Sequence, residues 1–109
     1  MWNSILKNIR KAKSKDYYVG IHYVGVDSVD IAKQRVKLRV EKGGHGIPEL
    51  DIERRYHETF ENLKRVLNEC DQITLYDNTT KFRRFAVFQN GDLKILSKEV
   101  PQWFKYIIG

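Results

Sequence analysis

Ile5, Leu6, Ile9 and Ala12 recur at the three- and four-residue intervals of one helical face, with Lys7, Lys11 and Lys15 opposite. That spacing predicts an amphipathic helix over Ser4–Ser14, capped by Asn3 or Ser4. The period then changes. Tyr17–Val26 (YYVGIHYVGV) is dense in aromatic and β-branched residues and apolar on both alternating faces. It predicts a strand covered on both sides, as in a parallel sheet. Asp27 is placed to cap the next helix and Asp30 lies in its first turn, while Val29, Ala32, Val36 and Val40 form one apolar stripe. Arg35, Arg39 and Lys42 follow one another on the neighbouring stripe at four- and three-residue spacing, so three cations point the same way. Gly43-Gly44 suit a left-handed C-terminal cap that ends this helix.

A further helix is expected from Pro48, a residue suited to a first turn because its missing N–H has no partner to lose. Glu49 and Asp51 sit near its positive end, and Ile52, Tyr56, Phe60, Leu63 and Leu67 give it a buried face. Two helices joined by a glycine loop make a helical hairpin. QITLYDN supplies a short buried strand over Ile73–Tyr76 that ends on polar residues. Arg84–Gln89 and Leu93–Ser97 flank the turn signal NGD and predict an antiparallel β-hairpin. A short terminal helix is expected from Pro101, with Trp103, Phe104 and Ile107 as packing residues. The fold class is α/β: two adjacent parallel strands, a helical hairpin and a C-terminal antiparallel hairpin in one domain over residues 1–109.

Composition narrows the function classes. A chain of 109 residues that is 41% hydrophobic and 12% aromatic is set for one packed core rather than for disorder. No apolar run approaches the ~18 residues of a membrane span, and Met1–Asp16 reads as an amphipathic helix rather than a leader, so a cytoplasmic location is expected. One cysteine, Cys70, forms no internal disulfide or multi-cysteine metal site and is expected to be a buried structural thiol. His22, His45 and His57 have no metal-ligand spacing, so no metal site is expected. The net charge of +6 directs attention to anionic partners. Nucleic acid is disfavoured, because no RNP-type strand, GXXG loop or zinc-finger spacing accompanies the charge.

The stretch GGHGIPELDIERRY (Gly43–Tyr56) holds the candidate chemistry. A phosphate loop of the form GxxxxGK[ST] is absent from the sequence, so the glycines are read as a tight turn rather than as a phosphate cradle. Folding the hairpin at Gly43–Gly46 would bring Arg39 and the pair Arg54 and Arg55 towards one point, with His45 at the turn. Guanidinium groups, always charged and donating in a planar fork, suit a polyphosphate. The competing reading pairs Arg54 and Arg55 with Asp51 and Glu58 on a solvated helix surface.

The order RV…RV…GGHGIP…I.RRY…NL…D…LYDN, from about Ser4 to Thr79, resembles the C-terminal half of the zeta-toxin-like P-loop kinases, small bacterial nucleotide-dependent phosphotransferases. The resemblance implies a P-loop kinase fold, ATP or GTP with Mg²⁺ as phosphate donor, a UDP-amino sugar as acceptor, and a helical-hairpin lid that closes on the phosphates. Arg39 matches the family's lid arginine, with Arg35 one turn before it. His45 takes the place of a second basic lid group, and Arg54 and Arg55 match the RR of the following helix. Asp77 and Asn78 match the polar strand end near the nucleotide base. The family's phosphate loop and catalytic aspartate have no counterpart here, so these 109 residues alone are expected to hold no cofactor and catalyse nothing. The missing strand is expected to leave an edge at Tyr18–Tyr23 for a second copy, making a homodimer, or for a separately encoded N-terminal half.

Overall fold

Strand β1 (Gly20–Gly25) runs parallel to β2 (Gln72–Asp77), and the antiparallel strands β3 (Arg83–Gln89) and β4 (Asp92–Leu96) continue the sheet beyond β2 in the order β1-β2-β3-β4. The chain is seen in a computed structural model that describes residues 2–44, 46 and 48–108. Helix α1 (Trp2–Ser14) precedes β1; α2 (Val29–Glu41) and α3 (Glu49–Val66) join the two parallel strands; a 3₁₀ turn (Gln102–Phe104) runs into the short α4 (Lys105–Ile108). The mixed α/β architecture, with one parallel pair, a helix pair between its strands and a terminal β-hairpin, agrees with the periodicities. No described helix is long and apolar enough to cross a membrane.

One face of the sheet carries the core. Ile9 of α1, Phe60, Leu63 and Val66 of α3, and Trp103, Phe104 and Ile107 at the C-terminus pack on Ile73, Leu75, Phe85, Ala86 and Phe88. Each large apolar side chain so buried contributes about 1.5–3 kcal/mol relative to exposure. Trp103 sits at the centre, fully buried, with the rings of Tyr23, Phe60 and Phe85 at 5.6, 5.8 and 5.1 Å. The indole passes so close beneath the end of β1 that Gly25 has no room for a side chain.

The expectation that β1 is covered on both sides is corrected. Its burial alternates: Ile21 and Tyr23 pack on the core, while Gly20, His22 and Val24 are exposed. The helices that build the core cluster lie on a single face, and among the described residues β1 has a sheet neighbour on one side only. The aromatic density of YYVGIHYVGV therefore reflects an exposed edge, with Tyr17 and Tyr18 64% and 69% exposed.

Local chemistry explains the element ends. Ser28, not the expected Asp27, caps α2: its Oγ accepts from Ile31 N–H at 3.2 Å, while the Asp27 carboxylate is taken by Trp103 N–H. Gly43, at φ +92°, adopts the left-handed conformation, and Gly43 and Gly44 donate to the carbonyls of Val40 and Arg39. This is the Schellman closure expected at the glycine pair. Asn90 and Gly91, both at positive φ, form the two-residue turn between β3 and β4. The apolar stripe of α2 stays half open, since that helix has no fully buried residue.

Candidate functional site

At the carboxyl ends of β1 and β2 the backbone is held from two directions. From the core side, Trp103 Nε1 donates to Asp77 Oδ1 at 3.1 Å, and the hydroxyl of Thr79 donates to the same oxygen at 2.7 Å. Thr79 Oγ1 also accepts from Asp27 N–H at 3.1 Å, which ties the loop after β1 to the loop after β2. From the helix side, Arg35 Nη2 donates to the carbonyls of Asn78 and Thr79 at 3.0 and 3.2 Å. Asn78 N–H closes on Gly25 O at 2.9 Å, and the Tyr56 hydroxyl donates to Val26 O at 2.8 Å. Burial, followed by the neighbouring Tyr106, Asp27 and Asp77, pushes the Tyr56 hydroxyl up to about 12.

Beside this fixed floor lies a pocket of about 480 Å³, lined by Val24, Val26, Arg35, Leu38, Arg39, Lys42 and Asn78. The i, i+4, i+7 spacing on α2 therefore does place three cations on one concave surface, at the ends of the parallel strands. Arg39 and Lys42 enter no ion pair among the described residues, and Arg35 uses only Nη2, so the pocket keeps net positive character. The α2–α3 pair is pinned by Lys33 Nζ to Glu53 Oε1 at 2.6 Å, a contact that raises the Lys33 ammonium and lowers the Glu53 carboxyl from their ordinary values.

The other sequence-derived residues fall elsewhere. Arg54 and Arg55 line a separate groove of about 600 Å³ with Asn3, Glu58, Thr59, Asn62 and Arg65. Arg54 faces Asp51 at 3.3 Å and Glu58 at 3.9 Å, the helix-surface pairing that spacing alone allowed. Asp77 is 6% exposed, with Oδ1 taken by Thr79 and Trp103, so it supports the pocket floor from behind while Asn78 lines the pocket. His45 lies outside the described residues. Cys70 is buried, its thiol pushed up to about 11 mainly by desolvation, which suits a packing role rather than a nucleophile. Among the described residues no group of His, Cys, Asp or Glu is arranged to hold a metal ion.

Sequence reasoning missed Thr79 and the Trp103–Asp77 contact. The Asp77-Asn78-Thr79 run carries a partial signal, because Asp, Asn and Thr are residues whose side chains close local turns. The approach of Trp103 from 26 residues away carries none.

No family model and no solved structure matches the chain. It is similar to an uncharacterized protein of Haemophilus influenzae, 41% identical over 54 residues. That alignment covers half of this chain and 39% of the relative.

Proposed function

We propose that the chain is the lid and base-side part of a nucleotide-dependent phosphotransferase of the zeta-toxin-like kind, with Arg39 and Lys42 directed at the phosphates of ATP or GTP. One observation carries this reading: Arg35, Arg39, Lys42 and Asn78 line a single pocket at the carboxyl ends of the parallel strands β1 and β2. Ligands of open α/β sheets bind outside such strand ends. Arg35 has a divided role, holding the Asn78–Thr79 backbone through Nη2 while also lining the pocket. Val24, Val26 and Leu38 supply apolar wall.

Phosphoryl transfer rests on positioning and on charge stabilisation by a phosphate-loop lysine and Mg²⁺. The 109 residues carry no such loop, and sequence alone points to no cofactor; in this reading the cationic pocket revises that expectation to weak nucleotide binding, with no transfer until the complementary part supplies the loop, the catalytic carboxylate and the place for a UDP-amino sugar acceptor. Calorimetric titration with ATP·Mg²⁺ and GTP·Mg²⁺ tests the pocket. Saturable heat is expected from the wild-type chain, with affinity reduced about tenfold or more in Arg39→Ala, the loss of one hydrogen-bonded charge. Absence of heat in the wild type, or equal affinity in the variant, overturns the assignment. A nonenzymatic, self-associating role is the second reading, favoured by the open edge of β1.

A further inference from the structure

We infer that β1 is an interface strand whose partner is β1 of a second copy of this chain, paired antiparallel about His22. The inference does not rest on nucleotide binding, although Val24 also belongs to the pocket wall, and it is argued from three features of the two sheet edges.

The first is hydrogen-bonding parity. Val19 O accepts from Asp71 and Gln72 N–H, and Gly25 O accepts from Asn78 N–H, so the odd-numbered residues of this segment turn their backbone towards β2. In a parallel ladder the alternate residues face away. Gly20, His22 and Val24 therefore present N–H and C=O groups at the edge, and all three are exposed. The row ends at Val26, whose carbonyl the Tyr56 hydroxyl already occupies.

The second is the contrast between edges. β4 carries Asp92 and Lys94 and pairs with β3 through a register shift at Val87/Phe88, devices that discourage a further strand. β1 pairs without a shift, and from Tyr17 to Val26 it contains no Asp, Glu, Lys, Arg or Pro. A regular, uncharged edge lacks every such defence.

The third is self-complementarity. The three outward residues are symmetric about His22, so an antiparallel copy sets Gly20 against the partner's Val24, His22 against the partner's His22, and Val24 against the partner's Gly20. Each is a hydrogen-bonded pair contributing two bonds, about six in all. Gly20, without a side chain, falls beside the branched Val24. Carried past the strand ends, the same register sets Asp27 opposite the partner's Tyr17 and Asp16 opposite the partner's Ser28. No like charges meet at the seam although each copy carries +6. The product is an eight-stranded sheet with α1, α3 and α4 of each copy on that copy's core face.

Sedimentation velocity on the 109-residue chain, from micromolar to submillimolar loading, is expected to show a reversible monomer–dimer equilibrium. His22→Lys, which sets two lysines opposite each other at the two-fold axis, should weaken it about tenfold or more. Ile95→Lys on β4 should leave it unchanged. Hydrogen exchange of the wild type gives a readout that needs no variant: the Gly20, His22 and Val24 amides should gain protection with concentration while Ile21 and Tyr23 stay constant. A monomer at all loadings, a dimer sensitive to Ile95→Lys but not to His22→Lys, or a dimer without added protection at those three amides overturns the inference.

Discussion

Replacing Gly25 with alanine places a Cβ 2.7 Å from Cε2 and Cζ2 of Trp103 and 3.1 Å from its Cη2. Carbon atoms rest about 3.5–4.0 Å apart, so two contacts are short by roughly 1 Å. The indole has little freedom to retreat. It is fully buried, its Nε1 is tied to Asp77 at 3.1 Å, and Tyr23, Phe60 and Phe85 surround it. Overpacking of this kind costs about 1–3 kcal/mol, and the confinement of Trp103 places Gly25→Ala at the upper end. Two of the three clashing atoms, Cζ2 and Cη2, lie beyond the reach of a phenylalanine ring, so a double-mutant cycle isolates the clash. Trp103→Phe destabilises the protein by itself, through lost packing and a lost hydrogen bond, but Gly25→Ala added to it should cost less than about 1 kcal/mol. Urea unfolding followed by far-ultraviolet circular dichroism measures all four species, since two of them lack the Trp103 fluorophore. Equal costs of Gly25→Ala in both backgrounds, or a cost below about 0.5 kcal/mol in the wild type, would refute the assignment of this glycine to the passage of Trp103.

Two predictions concern pH. Burial, then the proximity of Tyr56, pushes the Tyr23 hydroxyl up to about 12, and Tyr56 is raised to the same value. Both are neutral in the fold, so their contribution is intact below the ordinary value of 10.0 and is lost as pH rises from there towards 12. Tyrosinate absorbance should show Tyr23 and Tyr56 ionising well above 10 or together with unfolding; their ionisation near 10, with the fold intact, would contradict this. At the acid end, Lys13 and then the Val19 N–H hold the Asp71 carboxyl below its ordinary 3.8, and Arg10 holds Glu69 below 4.5. These contacts tie α1 to the turn before β2, and their contribution is present above those values and fades as pH falls through and below them. Hydrogen exchange should show α1 amides losing protection before those of β2 on acidification; simultaneous loss would remove this account.

Much of the fold was legible because it rests on local pattern. The 3.6-residue stripe Ile52–Tyr56–Phe60–Leu63, the Gly43-Gly44 stop and the Asn90-Gly91 turn each state their structure within a few residues, and each is found where the pattern put it. The covering of β1 was not legible. A strand apolar on both alternating faces reads alike whether its second face meets helices or remains open, and only the arrangement of distant elements decides. The same division runs through the site. Arg35, Arg39 and Lys42 share a pocket because one helix spaces them. Arg54 and Arg55 belong to another helix, where carboxylates one turn away at Asp51 and Glu58 compete successfully for Arg54. Asp77 read as a ligand-facing strand end, but β2 alternation directs it to the core side, where Trp103 takes its oxygen.

That inward turn gives Asp77 its importance. The loops after β1 and β2 form the pocket floor, and such segments are mobile unless tied down. Here Trp103 and Thr79 fasten them from the core through Asp77 and Asp27, while Arg35 fastens the Asn78 and Thr79 carbonyls from the helix side. The floor is thus ordered before any ligand arrives, and a ligand meeting it avoids most of the ordering cost. The walls differ. Arg39 and Lys42 lie exposed at the end of α2, a helix with no fully buried residue, which is held to α3 by the Lys33–Glu53 contact and to the floor by Arg35. An ordered floor beneath exposed cations that enter no ion pair among the described residues is an arrangement in which an anion can be gripped by side-chain movement alone, without disturbing the sheet. It follows that losing Asp77 and losing Arg39 are different injuries: the first loosens the fold and the floor together, whereas the second leaves the fold intact and removes only the grip.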